Sequence, residues 1–86
     1  MEIAEKFLPY LGSDGKIERL PSKYSRRVEL ATFFLPLFQF DVKYSEAEVN
    51  ELLGSHVVDF AFVRRTLVDL GYLQRDRYGI EYSRIK

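Results

Sequence analysis

The spacing of apolar positions changes period towards the end of the chain. Over residues 58–70, Phe60, Val63, Leu67 and Leu70 recur at three- and four-residue steps, which marks one face of a helix. Gly71 follows at once. A helix often stops on a left-handed residue, and only glycine adopts that conformation without steric cost. Beyond it the pattern predicts two short strands, 72–75 and 80–83. Asp76, Arg77, Tyr78 and Gly79 form the hairpin loop between them, with Gly79 as its left-handed position.

The earlier chain reads in the same terms. Residues 2–11 form a short amphipathic helix with Ile3, Phe7, Tyr10 and Leu11 on one side, and Pro9 should end or distort it. Residues 12–15, with a glycine at each end, are a loop. Residues 16–20 alternate polar and apolar, which predicts a strand anchored by Ile17 and Leu20 that joins the hairpin. Ser22 is the expected N-cap of the next helix. Leu30, Ala31, Phe34 and Phe38 are its buried stripe, with Val28 and Leu35 flanking; Pro36 should kink or end it. Residues 40–44 connect. Ser45 and Glu48 have the spacing of a capping box, in which hydroxyl and carboxylate each accept from the other's backbone N–H. Val49, Leu52 and Leu53 are the inner side of a helix that Gly54 ends. Residues 55–57 then turn tightly into the helix described first, giving a helix-turn-helix.

The expected fold is therefore α+β: a winged helix-turn-helix with three core helices and a small antiparallel sheet. It occupies residues 1–86 as one domain, with an extra N-terminal helix over 1–11 and the core over 16–86. A chain of 86 residues buries about 60–65% of its unfolded surface, enough to fold alone with little reserve. With 47% hydrophobic and 30% charged residues the composition is globular. The absence of cysteine removes disulfides and thiolate metal sites and fits a reducing compartment. No apolar run approaches the ~20 residues that span a bilayer. The first residues carry acids and lack the basic-then-apolar layout of a signal peptide. A cytoplasmic location without membrane contact is expected.

Several stretches together resemble a known bacterial family, the domain-of-unknown-function family numbered 2087. They are the Leu20–Pro21 step with its basic helix start, Tyr44–Ser45–Glu46 through Glu48–Val49–Asn50, and His56 with Asp59. Val63–Arg64–Arg65 with Leu67–Val68–Asp69 follows, then Arg75 and the Gly79–Tyr82 ending. The resemblance runs from about Lys16 to Tyr82. It implies a winged-helix-like module of the kind attached to transcriptional regulators or standing alone, with no established catalytic activity to carry over. The N-terminal helix is extra to that pattern.

Candidate chemistry is sparse. His56 and Asp59 lie three apart at a helix start, but a single histidine without cysteine or a third ligand at metal-like spacing does not make a zinc site. Asp59 suits the positive end of the helix dipole, and His56 is placed to help cap it. No glycine-rich phosphate loop, nucleophile elbow or carboxylate pair appears. No enzyme activity and no cofactor are expected. Lys23, Arg26 and Arg27 stand in the first turns of their helix, where the dipole disfavours cations, which suggests an acid from the N-terminal helix or a phosphate as their partner.

The formal net charge is zero, which counts against a freestanding nucleic-acid binder. From Phe60 onward, however, Arg64, Arg65, Arg75, Arg77, Arg84 and Lys86 outnumber Asp69, Asp76 and Glu81. On a helical wheel Arg65 points away from the buried face, while Arg64 lies on its boundary, placed to pair with an acid of the neighbouring helix. The outer face also carries Val58, Phe62 and Val68. A base-reading helix wants Arg, Lys, Asn or Gln there; beside Arg65 this face offers instead Phe62, two valines and Asp69, an acid that repels phosphate. Two readings follow. Arg64, Arg65, Arg75 and Arg77 would contact nucleic-acid backbone in a regulatory module, with DNA as partner. Alternatively Val58, Phe62 and Val68 would form a protein interface, with a second protein or a second copy as partner.

Overall fold

A computed structural model describes residues 1–78 and 81–86. The expected glycine of the hairpin loop, Gly79, and the first residue of the expected last strand, Ile80, lie outside the described residues.

Ser45 opens the helix-turn-helix as its capping box requires. Its hydroxyl accepts from Glu48 N–H at 3.1 Å, and the Glu48 carboxylate accepts from Ser45 N–H at 2.8 Å. Helix α2 then runs Glu46–Gly54, and helix α3 runs Phe60–Asp69. Asp59 is the N-cap of α3, its carboxylate accepting from Phe62 N–H at 3.1 Å. Val58 thus precedes the helix. Gly71 follows the end of α3 with φ +79°, as the helix stop demands.

Helix α1 spans Tyr24–Phe33, and Pro36 confines its continuation to a short 3-10 helix, Leu35–Leu37. Helix α3 packs against both α1 and α2. Strands β1 (Lys43–Ser45), β2 (Leu73–Arg75) and β3 (Glu81–Arg84) form an antiparallel sheet in the order β1-β3-β2. In the register, Tyr44 and Arg75 lie on either side of Tyr82. The core joins Leu30, Ala31 and Phe34 of the α1 region to Val49 and Leu53 of α2 and Val63 and Leu67 of α3. Leu73 and Tyr82 close it from the sheet, and Phe7 and Ile17 from the N-terminal segment. None of the described helices is long and apolar enough to cross a membrane.

Five expectations are corrected. The N-terminal helix is a 3-10 helix confined to Glu5–Tyr10, because the proline it contains cannot complete an α-helical ladder. Its Phe7 is buried and meets Phe33 edge-on at 5.5 Å, so this segment is part of the core. Residues 16–20 do not join the hairpin. Ile17 bridges singly to Leu11 and to Val57: its N–H donates to His56 O at 2.7 Å and its carbonyl accepts from Val58 N–H at 2.9 Å. The third strand is β1, within the stretch expected only to connect. Ser22 does not cap α1, whose N-cap position is Lys23 with no side-chain acceptor. His56 caps nothing through its ring, which stacks on Phe34 at 5.8 Å and 21°.

Candidate nucleic-acid interface

The middle of α3 carries two adjacent arginines with different fates. Arg64 turns towards α2. It donates to Asn50 Oδ1 and lies 3.8 Å from Glu46 Oε1, with only 16% of its side chain exposed. The pairing expected with an acid of the neighbouring helix is present. Glu46 and Asn50 stand four apart on α2, on one face, so a single guanidinium reaches both. Glu46 also accepts a hydrogen bond from the Tyr82 hydroxyl at 3.0 Å. Burial pushes the Tyr82 phenol above its ordinary value; the Glu46 carboxylate adds to this, while the nearby Arg75 guanidinium draws it back down. The network connects α2, α3 and the central strand. Among the described residues it leaves no buried side-chain polar atom without a partner.

Arg65 points outward, as the wheel indicates, and has no carboxylate partner among the described residues. Across from it, β2 presents Arg75. The two arginines line a cleft of about 150 Å³ between α3 and the hairpin, together with Arg64, Val68, Asp69 and Tyr82. Three of the four candidate arginines are thereby brought to one place. Arg77 is not among the residues lining this cleft; it stands in the hairpin loop with its guanidinium 5.2 Å above the Tyr78 ring. Asp69 is the acid on the cleft wall and Arg64 is already paired, so Arg65 and Arg75 are the side chains left to meet an anion.

The apolar candidates are dispersed. Val58 is 54% exposed, but Phe62 and Val68 are half-buried and pack against the core. Helix α1 lies over this side of α3: the Arg27 guanidinium stands 5.8 Å from the Phe62 ring, while its Nε donates to Pro21 O at 2.6 Å. A wheel assigns one inner face to a helix, whereas α3 sits between two others and is covered on two sides. Glu46, Asn50 and Tyr82 are site residues that the sequence reading above misses. Their signal was available in part, since the i, i+4 spacing of Glu46 and Asn50 puts both on one face of α2. The contact with Tyr82 spans thirty-six positions and has no local signature.

The family described as "Uncharacterized protein conserved in bacteria (DUF2087)" matches residues 16–84. No curated protein and no solved structure matches the chain.

Proposed function

The chain belongs to this bacterial family, and from that premise we propose that it is a non-catalytic winged-helix module of transcription control that grips nucleic-acid backbone through Arg65 and Arg75. The succession α1-β1-α2-α3-β2-β3, with β1 paired to β3, is the connectivity of a winged helix-turn-helix and supports the fold reading. The observation that carries the functional reading is the cleft itself, where a helix arginine and a strand arginine, neither with a carboxylate partner among the described residues, face one space. Guanidinium groups suit phosphate oxygens because their planar donors bind two at once. Arg64 acts as the brace: its contacts with Asn50 and Glu46 hold α3 in register so that its neighbour Arg65 is presented outward. Asp69 on the cleft wall disfavours deep insertion into a groove, so the contact is with backbone and carries little sequence discrimination. Arg77, in the hairpin loop and outside the cleft lining, is a further guanidinium for the same kind of backbone contact.

The test is binding to duplex DNA across a salt series. Affinity should fall with salt, and Arg65→Ala or Arg75→Ala should each lower the slope of log K against log salt by about one. Affinity that is indifferent to salt, or to both substitutions, overturns the proposal. A dimer in sedimentation that Val58→Glu disperses would instead favour a protein-docking role.

A further inference from the structure

A second hollow, of about 430 Å³, shares no lining residue with the arginine cleft. Its walls come from two separate segments. The N-terminal 3-10 helix contributes Lys6 and Tyr10, and the start of α1 contributes Ser22, Lys23 and Arg26, with buried Phe7 behind them. Three cations thus line one concave space with no carboxylate among its lining residues, and Glu29 is the acid that pairs with two of them among the described residues. Lys6 Nζ donates to Glu29 Oε2 at 2.7 Å, and Arg26 Nη1 lies 4.0 Å from the same oxygen. The Lys6 hydrogen bond holds the Glu29 carboxyl below its ordinary value, so it is charged at neutral pH. Lys23 has no acid partner among the described residues, and the Tyr10 and Ser22 hydroxyls have no hydrogen-bond partner among them.

The segment that carries Lys6 and Tyr10 is anchored in the core. Phe7 is anchored against Phe33, and Lys6 stands 5.4 Å over the Phe7 ring. The first turn of α1 carries bases and no acid, against the preference of the helix dipole. An anion in the hollow would reverse that penalty.

We propose that this hollow binds a phosphate-class dianion, either free phosphate or the phosphate group of a small phosphomonoester. The surplus of cations over carboxylates matches the charge of about −1.5 to −2 on a phosphate near neutral pH, and exceeds what a carboxylate ligand needs. The volume lies within the range of small-molecule sites. Lys23 and Arg26 supply charge-assisted donors, Ser22 and Tyr10 supply hydroxyl donors, and Lys6 is shared between the ligand and Glu29. This site is independent of the nucleic-acid reading and stands or falls apart from it.

The full chain, isotope-labelled, is titrated at pH 7.5 with sodium phosphate, with glycerol 2-phosphate, and with sodium chloride at matched ionic strength, following backbone amide resonances. Saturable shifts at residues 22–26 and at Lys6 are expected with the two phosphates and not with chloride. Tighter binding of glycerol 2-phosphate assigns the bound form to a small organic phosphate, and equal affinity assigns it to free phosphate. Lys23→Gln and Arg26→Gln should each weaken binding about tenfold. Glu29→Gln should strengthen it by removing the competing carboxylate, a gain that misfolding cannot mimic. Arg65→Ala should leave it unchanged. Shifts that chloride reproduces, or affinity untouched by Lys23→Gln and Arg26→Gln, overturn the proposal.

Discussion

The Tyr82 hydroxyl donates to Glu46 Oε1 across 3.0 Å, linking the central strand to the first turn of α2. The ring is buried, while the Glu46 side chain is about half exposed. Water can therefore replace the phenol at the carboxylate. Tyr82→Phe should cost about 1 kcal/mol. Glu46→Ala should cost more, because it also removes the carboxylate beside Arg64. Urea denaturation with an unchanged m-value checks both.

Arg64 and Arg65 are neighbours with opposite expected phenotypes. Arg64→Ala should destabilise the fold by about 2 kcal/mol, since it strips Asn50 and Glu46 of a largely buried charged partner. Arg65→Ala should leave the melting temperature nearly unchanged and act only on DNA affinity. Thermal melts beside salt-dependent binding separate the two. A large loss of stability with Arg65→Ala would show that its outward placement is wrong.

Two glycines should respond to alanine with opposite signs. Gly71 has φ +79°, and an added Cβ would meet only the Lys86 ammonium at an ordinary 3.8 Å, so the cost is conformational, about 1 kcal/mol. Gly54 is the last residue of α2 without a positive φ, and an added Cβ would touch the Phe60 ring at 3.5 Å. Gly54→Ala should be neutral or stabilising by up to about 0.5 kcal/mol through a less flexible unfolded chain. Denaturant midpoints of the two variants check the sign.

His56 gives a pH signature. Burial lowers its pKa from the ordinary 6.5, so the folded state binds the proton less well than the unfolded chain. Its contribution to stability is present above the unfolded pKa and is lost as pH falls through the folded one. Stability should therefore decline as pH drops from about 7.5 to 5, and His56→Gln should flatten that decline. Melts at closely spaced pH values test the sign; a protein that gains stability over this window would refute it.

Local patterns carried the helices and missed the long-range joins. The apolar stripe of α3, the Gly71 stop and the Ser45–Glu48 box each follow from contacts three or four residues apart, or from one obligatory conformation; the pairing of Arg64 followed from its place at the edge of that stripe, facing the neighbouring helix. The third strand did not. Residues 16–20 alternate as a strand should, but Ile17 spends its backbone groups on His56 and Val58, closing the corner between α2 and α3. Residues 43–45 are too few to show a period, and they become a strand only because β3 lies beside them. The arginine cleft was half legible. The residue types were visible, but the approach of Arg75 to Arg65 depends on how the hairpin returns against α3.

Ser45 ends β1 and caps α2 at once. Its backbone sits opposite Glu81 in the sheet while its hydroxyl holds Glu48 N–H. Sliding the strand by a single residue would turn Tyr44 from the inner side to the outer and, in the same move, unseat the helix start. The ladder and the cap therefore lock one another's alignment, and misaligned forms of the small sheet are penalised twice over.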